Sequence, residues 1–451
     1  MSRLERSFTG SNLLDSLRRL PIPSRYWVGF SGGADSTALL LALHENAEQL
    51  AAPVHVVHFD HGLQEAASAW AAHCEEFCRQ RSIPYRLETL SVPRIARSSL
   101  EEEARSKRYH AISRILGEQE MYLTAHHAED QAETLFLNLM RGSGIEGLAG
   151  IPVLRNLGAG WVARPLLDTH RKELVGFLRD RGVDWLEDPS NTDMAFDRNF
   201  LRGELFPQLE QRWPGLAKRL SRTARNARAS ASAMAAFIEQ HLGDLLRDCM
   251  RMPVQNLLAL DTEMQSLVLR QWLRRQEIPV LPESRLVEFL QQLAASQADS
   301  QAEVQWGDWM MKRYRNDIWL HRREPFAACI QKAWGEGMQV ELGPDSGSYC
   351  LRGKKTEIPC GWRVGTRKAG DRIRAFETGP SRKLKHFFQS ASIPPWLRLG
   401  IPVLYWDDEP VALGDWAIGY RLQWWLMENG LELEWKPADH VLVRVRRDCQ
   451  A

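Results

Sequence analysis

The sequence lacks the marks of a secreted or membrane-spanning protein. No apolar run in its 451 residues approaches the roughly 20 residues that a transmembrane helix needs. The polar N-terminal stretch MSRLERSFTGSNLL contains no apolar signal region. Seven cysteines, an odd number, are scattered along the chain and do not form a disulfide framework. We therefore expect a cytoplasmic protein.

The chain also lacks a charge excess, repeats and low-complexity tracts. Its formal net charge is only +1, so any surface that binds nucleic acid must be a local one. Cys74 and Cys78 lie one helical turn apart, but no second pair has the spacing of metal ligands, which favours buried thiols over a metal site. The remaining composition, 44% hydrophobic and 25% charged, is that of a globular protein. At about 100–200 residues per domain, the length allows two to four domains.

Strands alternate with helices over the first part of the chain. Apolar strands are predicted to begin near residues 26, 53, 84 and 121, and each is followed by a helical pattern. This alternation predicts a parallel α/β sheet with right-handed crossovers. A glycine-rich turn, Asp60 and His126 fall at predicted strand ends, where such sheets bind ligands. We therefore expect these residues to meet at one edge of the sheet.

The pattern changes twice further along. From about Pro214 to Ala298 the chain is helical, and a hairpin is predicted at 304–320. Residues 322–350 are rich in Gly, Pro and Ser and are predicted to be an irregular linker. Short strands and turns with one helix follow from 360 to 447. We predict a catalytic α/β domain at 1–213, a helical middle domain with a terminal hairpin at 214–322, and a linker with a smaller, mostly β (α+β) domain at 323–451.

The strongest motif follows the first predicted strand. Two glycines expose backbone N–H groups, two hydroxyls add donors, and the next helix directs its positive end at the turn, so the turn can bind phosphate. It is not a Walker loop, because no Gly-Lys-Ser/Thr follows, nor does it match GxGxxG. An aspartate beside phosphates indicates that Mg²⁺ lies between them. The motif consists of Ser31, Gly32, Gly33, Ala34, Asp35 and Ser36. A plain strand–helix turn is the alternative, which the complete hexapeptide disfavours.

The hexapeptide resembles the pyrophosphatase loop (PP-loop) of the N-type ATP pyrophosphatases. Further motifs make the chain resemble the tRNA(Ile) lysidine synthetase family in particular. The resemblance extends over about residues 26–420, and the order of the motifs is what makes it specific. The motifs are DHGL at 60–63, Glu102 to Arg105 with Tyr109, TAHHAEDQAET at 124–134, RGSG at 141–144, RPLL at 164–167, DPSN at 188–191, and DRN at 197–199 with Arg202.

The resemblance implies an ATP-dependent ligase that acts on tRNA. In that reaction O2 of the wobble cytidine in an isoleucine tRNA with a CAU anticodon attacks the α-phosphate of ATP, and pyrophosphate leaves. The ε-amine of free L-lysine then attacks C2, AMP leaves, and the product is lysidine. ATP and Mg²⁺ are the implied cofactors, with Asp35 as the metal-binding residue. The oligomeric state stays open, a homodimer included.

Arg105 is the residue we expect to clamp the phosphates, because a guanidinium binds phosphate bidentately and stays charged. On spacing alone, a solvated helix face is the better interpretation, since Glu101 lies four residues earlier and pairs well with it. The resemblance reverses that preference.

Two carboxylates are predicted to bind lysine, and a nearby histidine is predicted to have a separate role. Asp130 and Glu133 lie three residues apart and share one helix face, where they can bind an ammonium ion and accept its proton. His126 is assigned to the adenylate or the base. The alternative is that these acids only stabilise the N-terminus of a helix. This alternative explains Glu129 well but explains the pair His126-His127 poorly. The family more often has two aspartates at 129–130, so the role of Glu129 stays open.

The segment 188–202 mixes Asp, Asn and Arg, which is strong turn chemistry. The resemblance makes it a substrate loop instead, in which the arginines contact phosphate or RNA. Its predicted site residues are Asp188, Asn191, Arg198 and Arg202.

Residues 351–400 contain twelve Lys or Arg against three Asp or Glu. An excess of this size indicates phosphate binding rather than an ordinary solvated face. The resemblance implies that this domain holds the acceptor stem of the tRNA. Of 17 tryptophans, 11 follow residue 300, and most are predicted to be core. The predicted tRNA-binding residues are Arg363, Arg367, Arg372, Lys383, Lys385 and Arg398.

Three other functions would explain parts of the sequence. A tRNA thiolase of the same superfamily needs reactive cysteines, often as CxxC, and Cys74 and Cys78 have the wrong spacing. A small-molecule synthetase shares the loop but leaves the basic C-terminal region unexplained. An RNA-binding protein without activity predicts erosion of the loop or of Asp130, and neither is eroded.

Overall fold

The computed structural model describes residues 7–60, 67–90, 97–187, 193–194, 196–295, 302–323, 329–335, 337–438 and 442–443. The chain divides into two compact units, Met1–Ala236 and Phe237–Ala451. The motifs predicted to bind ATP and lysine all fall in the first unit, and the basic region falls in the second.

One six-stranded sheet forms the centre of the first unit. Its strands are β1 (Arg25–Gly29), β2 (Val54–Asp60), β3 (Tyr85–Thr89), β4 (Glu120–Leu123), β5 (Leu154–Leu157) and β6 (Gly160–Ala163). They lie in the order β3-β2-β1-β4-β6-β5. All neighbours run parallel except β5, which pairs antiparallel with β6. The predicted parallel α/β sheet is confirmed, whereas the edge hairpin of β5 and β6 was not predicted.

Helices surround this sheet. They are α1 (Gly10–Leu17), α2 (Ala34–Glu45), α3 (Ala67–Gln80), α4 (Arg97–Ile115), α5 (Ala128–Met140), α6 (Ile145–Leu148), α7 (Arg171–Arg179), α8 (Asp197–Phe200), α9 (Phe206–Arg212) and α10 (Leu216–Leu242), whose last residues belong to the second unit. A single π-helical turn, Leu201–Leu205, joins α8 to α9. In the part of the chain that the structure covers, no helix is both long and apolar enough to cross a membrane.

The core of the first unit holds the predicted phosphate loop rigidly. Strand β1 is buried on both faces, with Trp27 and Val28 at most 6% exposed, as a central parallel strand requires. Helix α2 is buried from Ala38 to Leu43 and packs against α1 and α7. Because strand and helix are both embedded in the core, the short loop between them has little freedom to move.

The second unit begins with helices and a small sheet. Its helices are α11 (Val254–Leu258), α12 (Thr262–Arg275) and α13 (Glu283–Ala295). Its strands are β7 (Arg251–Pro253), β8 (Glu303–Trp306), β9 (Trp309–Tyr314) and β10 (Asp317–Arg322), all antiparallel in the order β7-β10-β9-β8. The hairpin predicted at 304–320 is therefore present, as part of a three-stranded meander that β7 extends.

The remainder of the second unit is mostly β. Its strands are β11 (Lys332–Ala333), β12 (Gln339–Gly343), β13 (Gly347–Arg352), β14 (Trp362–Gly365), β15 (Arg372–Ile373), β16 (Arg382–Lys383), β17 (Val403–Trp406), β18 (Glu409–Leu413), β19 (Ala417–Ile418) and β20 (Glu432–Lys436). They form sheets in the orders β11-β14-β17-β18-β19, β12-β13-β20 and β15-β16. Two helices, α14 (Leu384–Ser390) and α15 (Tyr420–Glu428), complete this region.

The irregular linker expected at 322–350 is wrong for its second half. Strands β12 and β13 pair there, and β13 pairs further with β20. Val340 and Tyr349 are buried, and the Tyr349 hydroxyl donates to the Gly414 carbonyl at 2.8 Å. The glycines that suggested a linker, Gly343 and Gly347, have positive φ angles of 124° and 70° and form the turn between the two strands.

The prediction that most late tryptophans are core is confirmed. Trp334, Trp362 and Trp435 are at most 2% exposed, whereas Trp424 is 58% exposed. Rings of this size give a small β region the apolar area that it needs. The predicted domain boundaries at 213/214 and 322/323 stay predictions.

Candidate active site

The loop between β1 and α2 depends on a glycine with a left-handed backbone. Gly32 has a φ angle of 78°, and a Cβ atom there would lie 2.7 Å from Leu186 Cδ1 and 3.1 Å from Cys74 Sγ. Leu186 also donates its N–H to the Gly32 carbonyl at 2.9 Å. The loop is therefore packed against residues 74 and 186, with room for glycine alone at position 32.

Side-chain hydroxyl groups form hydrogen bonds with the backbone of the loop. The Ser31 N–H donates to Ser36 Oγ at 3.3 Å, and Ser36 Oγ donates to the Gly33 carbonyl at 3.0 Å. Thr37 Oγ1 donates to the same carbonyl at 2.9 Å. Ser31 is exposed while Ser36 is buried, so Ser31 is the hydroxyl that a ligand can reach. The positive end of α2 follows directly, as an anion site needs.

We expect Gly32→Ala to lower the free energy of unfolding by about 1–3 kcal/mol, because it combines a positive φ with a clash. Gly33→Ala is the matched control. Gly33 has a φ angle of −71°, and its Cβ would meet nothing closer than Ser31 Oγ at 3.5 Å, so its effect should stay within about 0.5 kcal/mol. Urea unfolding of both variants measures the difference. Equal losses would contradict the packing described above.

Asp35 lies in the first turn of α2, beside the loop. Its Oδ1 atom is buried without a hydrogen-bond partner and lies 3.6 Å from Arg171 Nε. One carboxylate oxygen without a hydrogen bond, next to a predicted phosphate site, fits a hydrated Mg²⁺ that is held by one carboxylate and by phosphate oxygens. Among the residues described, no group of three or more His, Cys, Asp or Glu could hold a metal ion by itself. The Asp35 carboxylate therefore fits a metal ion whose other ligands are phosphate oxygens and water.

His127 is the centre of the polar cluster. Its Nε2 atom lies 3.6 Å from Asp35 Oδ2 and 3.4 Å from Asp130 Oδ2, and its Nδ1 atom donates to Glu129 Oε2 at 3.0 Å. The side chain is almost fully buried. Burial opposes the charged form, but Asp130, Asp35 and Glu129 outweigh it and raise the pKa of His127 to about 10. His127 is therefore an imidazolium ion that links three carboxylates.

The raised pKa of His127 predicts a loss of stability at alkaline pH. Its pKa is about 10 in the folded chain, against an ordinary value of 6.5. The stabilisation is therefore fully present below about pH 6.5 and is lost as the pH rises through about 10. We expect the free energy of unfolding to fall over this interval, and to fall less in His127→Gln. Equal slopes for the two proteins in urea unfolding would contradict the assignment.

Glu129, whose role the sequence left open, holds this cluster together. Its carboxylate accepts hydrogen bonds from His127 Nδ1, His170 Nδ1 and the Arg171 N–H, each at 3.0 Å. Burial alone would raise its pKa, yet these donors lower the pKa of Glu129 well below its usual range. Glu129 is thus a positioning residue that connects α5 to the start of α7.

Asp130 and Glu133 do share one face of α5, as predicted, but Arg202 binds both. Arg202 Nε donates to Glu133 Oε1 at 2.9 Å, and Arg202 Nη2 donates to Asp130 Oδ1 at 3.2 Å. The Glu133 side chain is 0% exposed and that of Asp130 is 14% exposed. Asp130 also accepts the His127 N–H at 2.9 Å and so caps α5. Asp130 therefore does cap the helix, as the alternative interpretation proposes. Arg202 contacts both carboxylates that are predicted to bind lysine.

His126 lies at the end of β4 and is partly buried. Its Nδ1 atom is hydrogen-bonded to Thr124 Oγ1 at 2.7 Å. Burial lowers the pKa of His126 to about 3, helped by Arg164 and opposed by Asp130. A neutral imidazole can accept or donate a hydrogen bond without adding charge. The two adjacent histidines therefore differ in charge, which their order in the sequence could not show.

The structure describes two of the four other site residues predicted in the first unit. Arg198 lies on α8 and donates to Thr134 Oγ1 at 3.3 Å. Arg105 is half-buried on α4. Both arginines lower the pKa of His126 through their charge, so the fold brings them to the same place. Asp188 and Asn191 lie outside the described residues.

Three of the six residues predicted to bind tRNA are engaged within the second unit. Arg363 pairs with Asp408, and Arg372 Nε donates to Ser381 Oγ at 2.8 Å. Arg398 Nη2 donates to the Ile393 carbonyl at 2.9 Å. These side chains stabilise their own loops, so their guanidinium groups are less available to a phosphate.

The other three are exposed and offer free charge. Arg367, Lys383 and Lys385 are exposed and form no ion pair within the described ranges. The Arg367 guanidinium lies 5.7 Å from the centre of the Phe388 ring. Of the six predicted residues, these three carry charges that no described carboxylate neutralises.

The residues that link the polar cluster carry little signal in the sequence. His127, His170 and Arg171 have no predicted role there, and the role of Glu129 stays open. The pair His126-His127 before an acidic helix start was the only available signal, because helix capping by itself does not explain two histidines. The other contacts join α2, α5 and α7, which are distant in sequence.

Three known protein families match parts of the chain. A family described as a PP-loop domain matches residues 11–209. A TilS substrate binding domain matches residues 252–319, and a TilS substrate C-terminal domain matches residues 362–435. The three matches follow the order of the fold along the chain.

Full-length relatives agree with the domain matches. The chain is 35% identical over 424 residues to a tRNA(Ile)-lysidine synthase from Xylella fastidiosa (strain Temecula1 / ATCC 700964), covering 93% of this chain and 97% of the relative. It is 34% identical to one from Xanthomonas axonopodis pv. citri (strain 306), covering 95% and 97%. It is 35% identical to one from Pseudomonas aeruginosa, covering 92% and 96%.

Proposed function

Because the chain belongs to the tRNA(Ile)-lysidine synthase family of ATP-using ligases, we propose that it joins free L-lysine to C2 of the wobble cytidine of an isoleucine tRNA with a CAU anticodon. ATP is split to AMP and pyrophosphate. One geometric observation carries the proposal: His127 Nε2 lies 3.6 Å from Asp35 beside the PP-loop and 3.4 Å from Asp130 on α5. The residues proposed to bind ATP and lysine therefore surround one imidazolium.

The first step forms the adenylate. O2 of the cytidine forms a bond to the α-phosphorus of ATP, and the bond from that phosphorus to the departing pyrophosphate breaks. The charge on pyrophosphate is best stabilised by fixed donors, here the backbone N–H groups of the loop, Ser31 and the start of α2. Asp35 would hold Mg²⁺, which when bound neutralises phosphate charge. We propose Arg105 as a further phosphate ligand.

The second step uses lysine. Its ammonium gives a proton to the Asp130 carboxylate, which passes it on to solvent. The amine then forms a bond to C2 and the C2–O2 bond breaks, so that O2 leaves with AMP. Asp130 supports ammonium binding because it is charged and partly exposed, and its oxygens retain lone pairs beyond the bonds to Arg202 and His127. Glu133 is fully buried against Arg202, so we propose that it holds Arg202 in place. His126, which is neutral, is proposed to face the base or the adenylate.

The second unit is proposed to bind the body of the tRNA through Arg367, Lys383 and Lys385, because their charges are exposed. We also propose the division into domains at 213/214 and 322/323. The three family matches support it, since each falls inside one proposed domain. A cytoplasmic location is proposed because tRNA and ATP are both found there.

The rival thiolase function finds no support at this site. Cys74 and Cys78 are fully buried, and burial raises the pKa of both thiols to about 12. A thiol in that state is a poor nucleophile at neutral pH.

Pyrophosphate release by the purified protein tests the proposed function. The assay contains ATP, Mg²⁺, labelled lysine and unmodified isoleucine tRNA with a CAU anticodon. One control omits lysine, and another uses a tRNA whose wobble base is uridine. We expect release that requires the cytidine, together with label entering the RNA. Release that requires a small-molecule acceptor, with no label in the RNA, would overturn the proposal.

A further inference from the structure

Three arginines surround one tyrosine near the end of β6, and the catalytic proposal uses only one of them. Arg164 Nη2 donates to the Tyr109 hydroxyl oxygen at 3.0 Å. The guanidinium carbon of Arg155 lies 4.7 Å from the centre of the Tyr109 ring, and that of Arg105 lies 5.5 Å from it. The three side chains come from α4, β5 and the residue after β6.

Among the described residues, the charges of Arg155 and Arg164 are not balanced by carboxylates. Neither of these two side chains forms an ion pair with a described Asp or Glu. Arg164 is 2% exposed, and its Nε atom is buried without a hydrogen-bond partner. One phenol cannot offset three positive charges, and cation–π attraction to one ring is weak where the cation is exposed. A buried arginine without a counter-ion is costly, so a bound anion would relieve the repulsion.

The cluster lies beside the proposed reaction site. Leu123 at the end of β4 pairs with Ala163 at the end of β6, so His126 and Arg164 leave the same edge of the sheet. The charges of Arg164 and Arg105 both lower the pKa of His126. The positive potential of the cluster therefore extends to the place where the cytidine is expected.

The position of Arg155 favours RNA over ATP as the source of the anion. Arg155 is exposed on the edge strand β5, and β5 lies three strands from β1 in the sheet. At about 4.8 Å per strand, this places it roughly 14 Å from the PP-loop side, which is far for the phosphates that the loop binds. A phosphodiester next to a cytidine that reaches the loop would lie on this outer side.

We propose that Arg155 and Tyr109, supported by the buried Arg164, bind a phosphodiester group of the substrate RNA next to the reacting cytidine. The identity of the RNA rests on the proposed function, whereas the charge of the site does not. Arg155 is the side chain that separates this site from the ATP site, because it is exposed and has no proposed role in catalysis.

Binding of an unmodified isoleucine tRNA transcript, measured by fluorescence anisotropy without ATP or lysine, tests the inference. We expect Arg155→Gln to weaken binding about three- to ten-fold and to reduce the slope of log affinity against log salt concentration by about one. Arg179→Gln is the matched control, because Arg179 is exposed in the last turn of α7 and loses the same charge. The control should change neither quantity.

Two results would overturn the inference. One is unchanged affinity and salt dependence in Arg155→Gln. The other is a raised KM for ATP in that variant with RNA binding unaffected, which would assign the phosphate to the nucleotide. Wild-type protein that binds the tRNA but inserts no lysine would instead refute the proposed function and leave the comparison of variants valid.

Discussion

Replacing Asp35 with asparagine should slow pyrophosphate release at least about a hundred-fold, because a metal ion that stabilises the transferred charge contributes several kcal/mol to such a step. The change is isosteric and removes only the charge. Asp35 Oδ1 has no hydrogen-bond partner to lose, and the amide oxygen of asparagine can still face His127 Nε2 in place of Asp35 Oδ2, so the fold should be retained. Pyrophosphate release measured over a range of Mg²⁺ concentrations checks this, and the variant should require more Mg²⁺ than the wild type.

Arg171→Gln separates this role from a structural one. Arg171 lies 3.6 Å from Asp35 Oδ1 and half of its side chain is exposed, so its loss should not unfold the protein. If Asp35 served only to hold Arg171, the two variants would lose the same activity, and the Mg²⁺ requirement of Asp35→Asn would match that of the wild type. That pair of results would refute a metal-binding role.

Asp130→Asn should reduce lysine incorporation at least about a hundred-fold while retaining most of the pyrophosphate release that lysine does not require. Removing a charged partner from a bound ammonium costs several kcal/mol in a partly buried site. Asparagine can still accept the His127 N–H and so still caps α5. The experiment therefore distinguishes lysine binding from helix capping, which predicts only a small loss. Separate assays of pyrophosphate and of labelled lysine measure the two steps.

Glu263→Gln is the control for this prediction. Glu263 is also an acid in the first turn of a helix, α12, and it is exposed. Its replacement should change neither step. Parallel losses of pyrophosphate release and lysine incorporation in Asp130→Asn would show that Asp130 acts through His127 on the whole site rather than on lysine.

Local patterns in the sequence were sufficient to predict much of this site. The hexapeptide from Ser31 to Ser36 joins a strand and a helix as expected, since a turn of two glycines depends mainly on neighbouring residues. Asp130 and Glu133 share a helix face because a spacing of three residues places them there. The edge hairpin of β5 and β6 was not predicted, because the sequence LRNL of β5 does not alternate between apolar and polar residues and so lacks the period of a half-buried strand.

Pairing of charges could not be predicted in the same way. Arg202 was assigned to phosphate or RNA, yet it contacts Glu133, 69 residues earlier in the chain. Arg398 was assigned to tRNA, yet it holds the Ile393 carbonyl. In both cases the residue type was compatible with either role, and the choice depended on which oxygen lay within hydrogen-bond distance after folding.

The sequence by itself determined the parallel sheet, the phosphate loop and the acidic face of α5, because periodicity, glycine conformation and helix spacing are local properties. Only the tertiary structure decided that His127 is charged while His126 is neutral, and that Arg164 meets Tyr109 across 55 positions of the chain. The physical reason is that a pKa and an ion pair depend on burial and on distances of a few ångströms, which arise only when separate elements pack together.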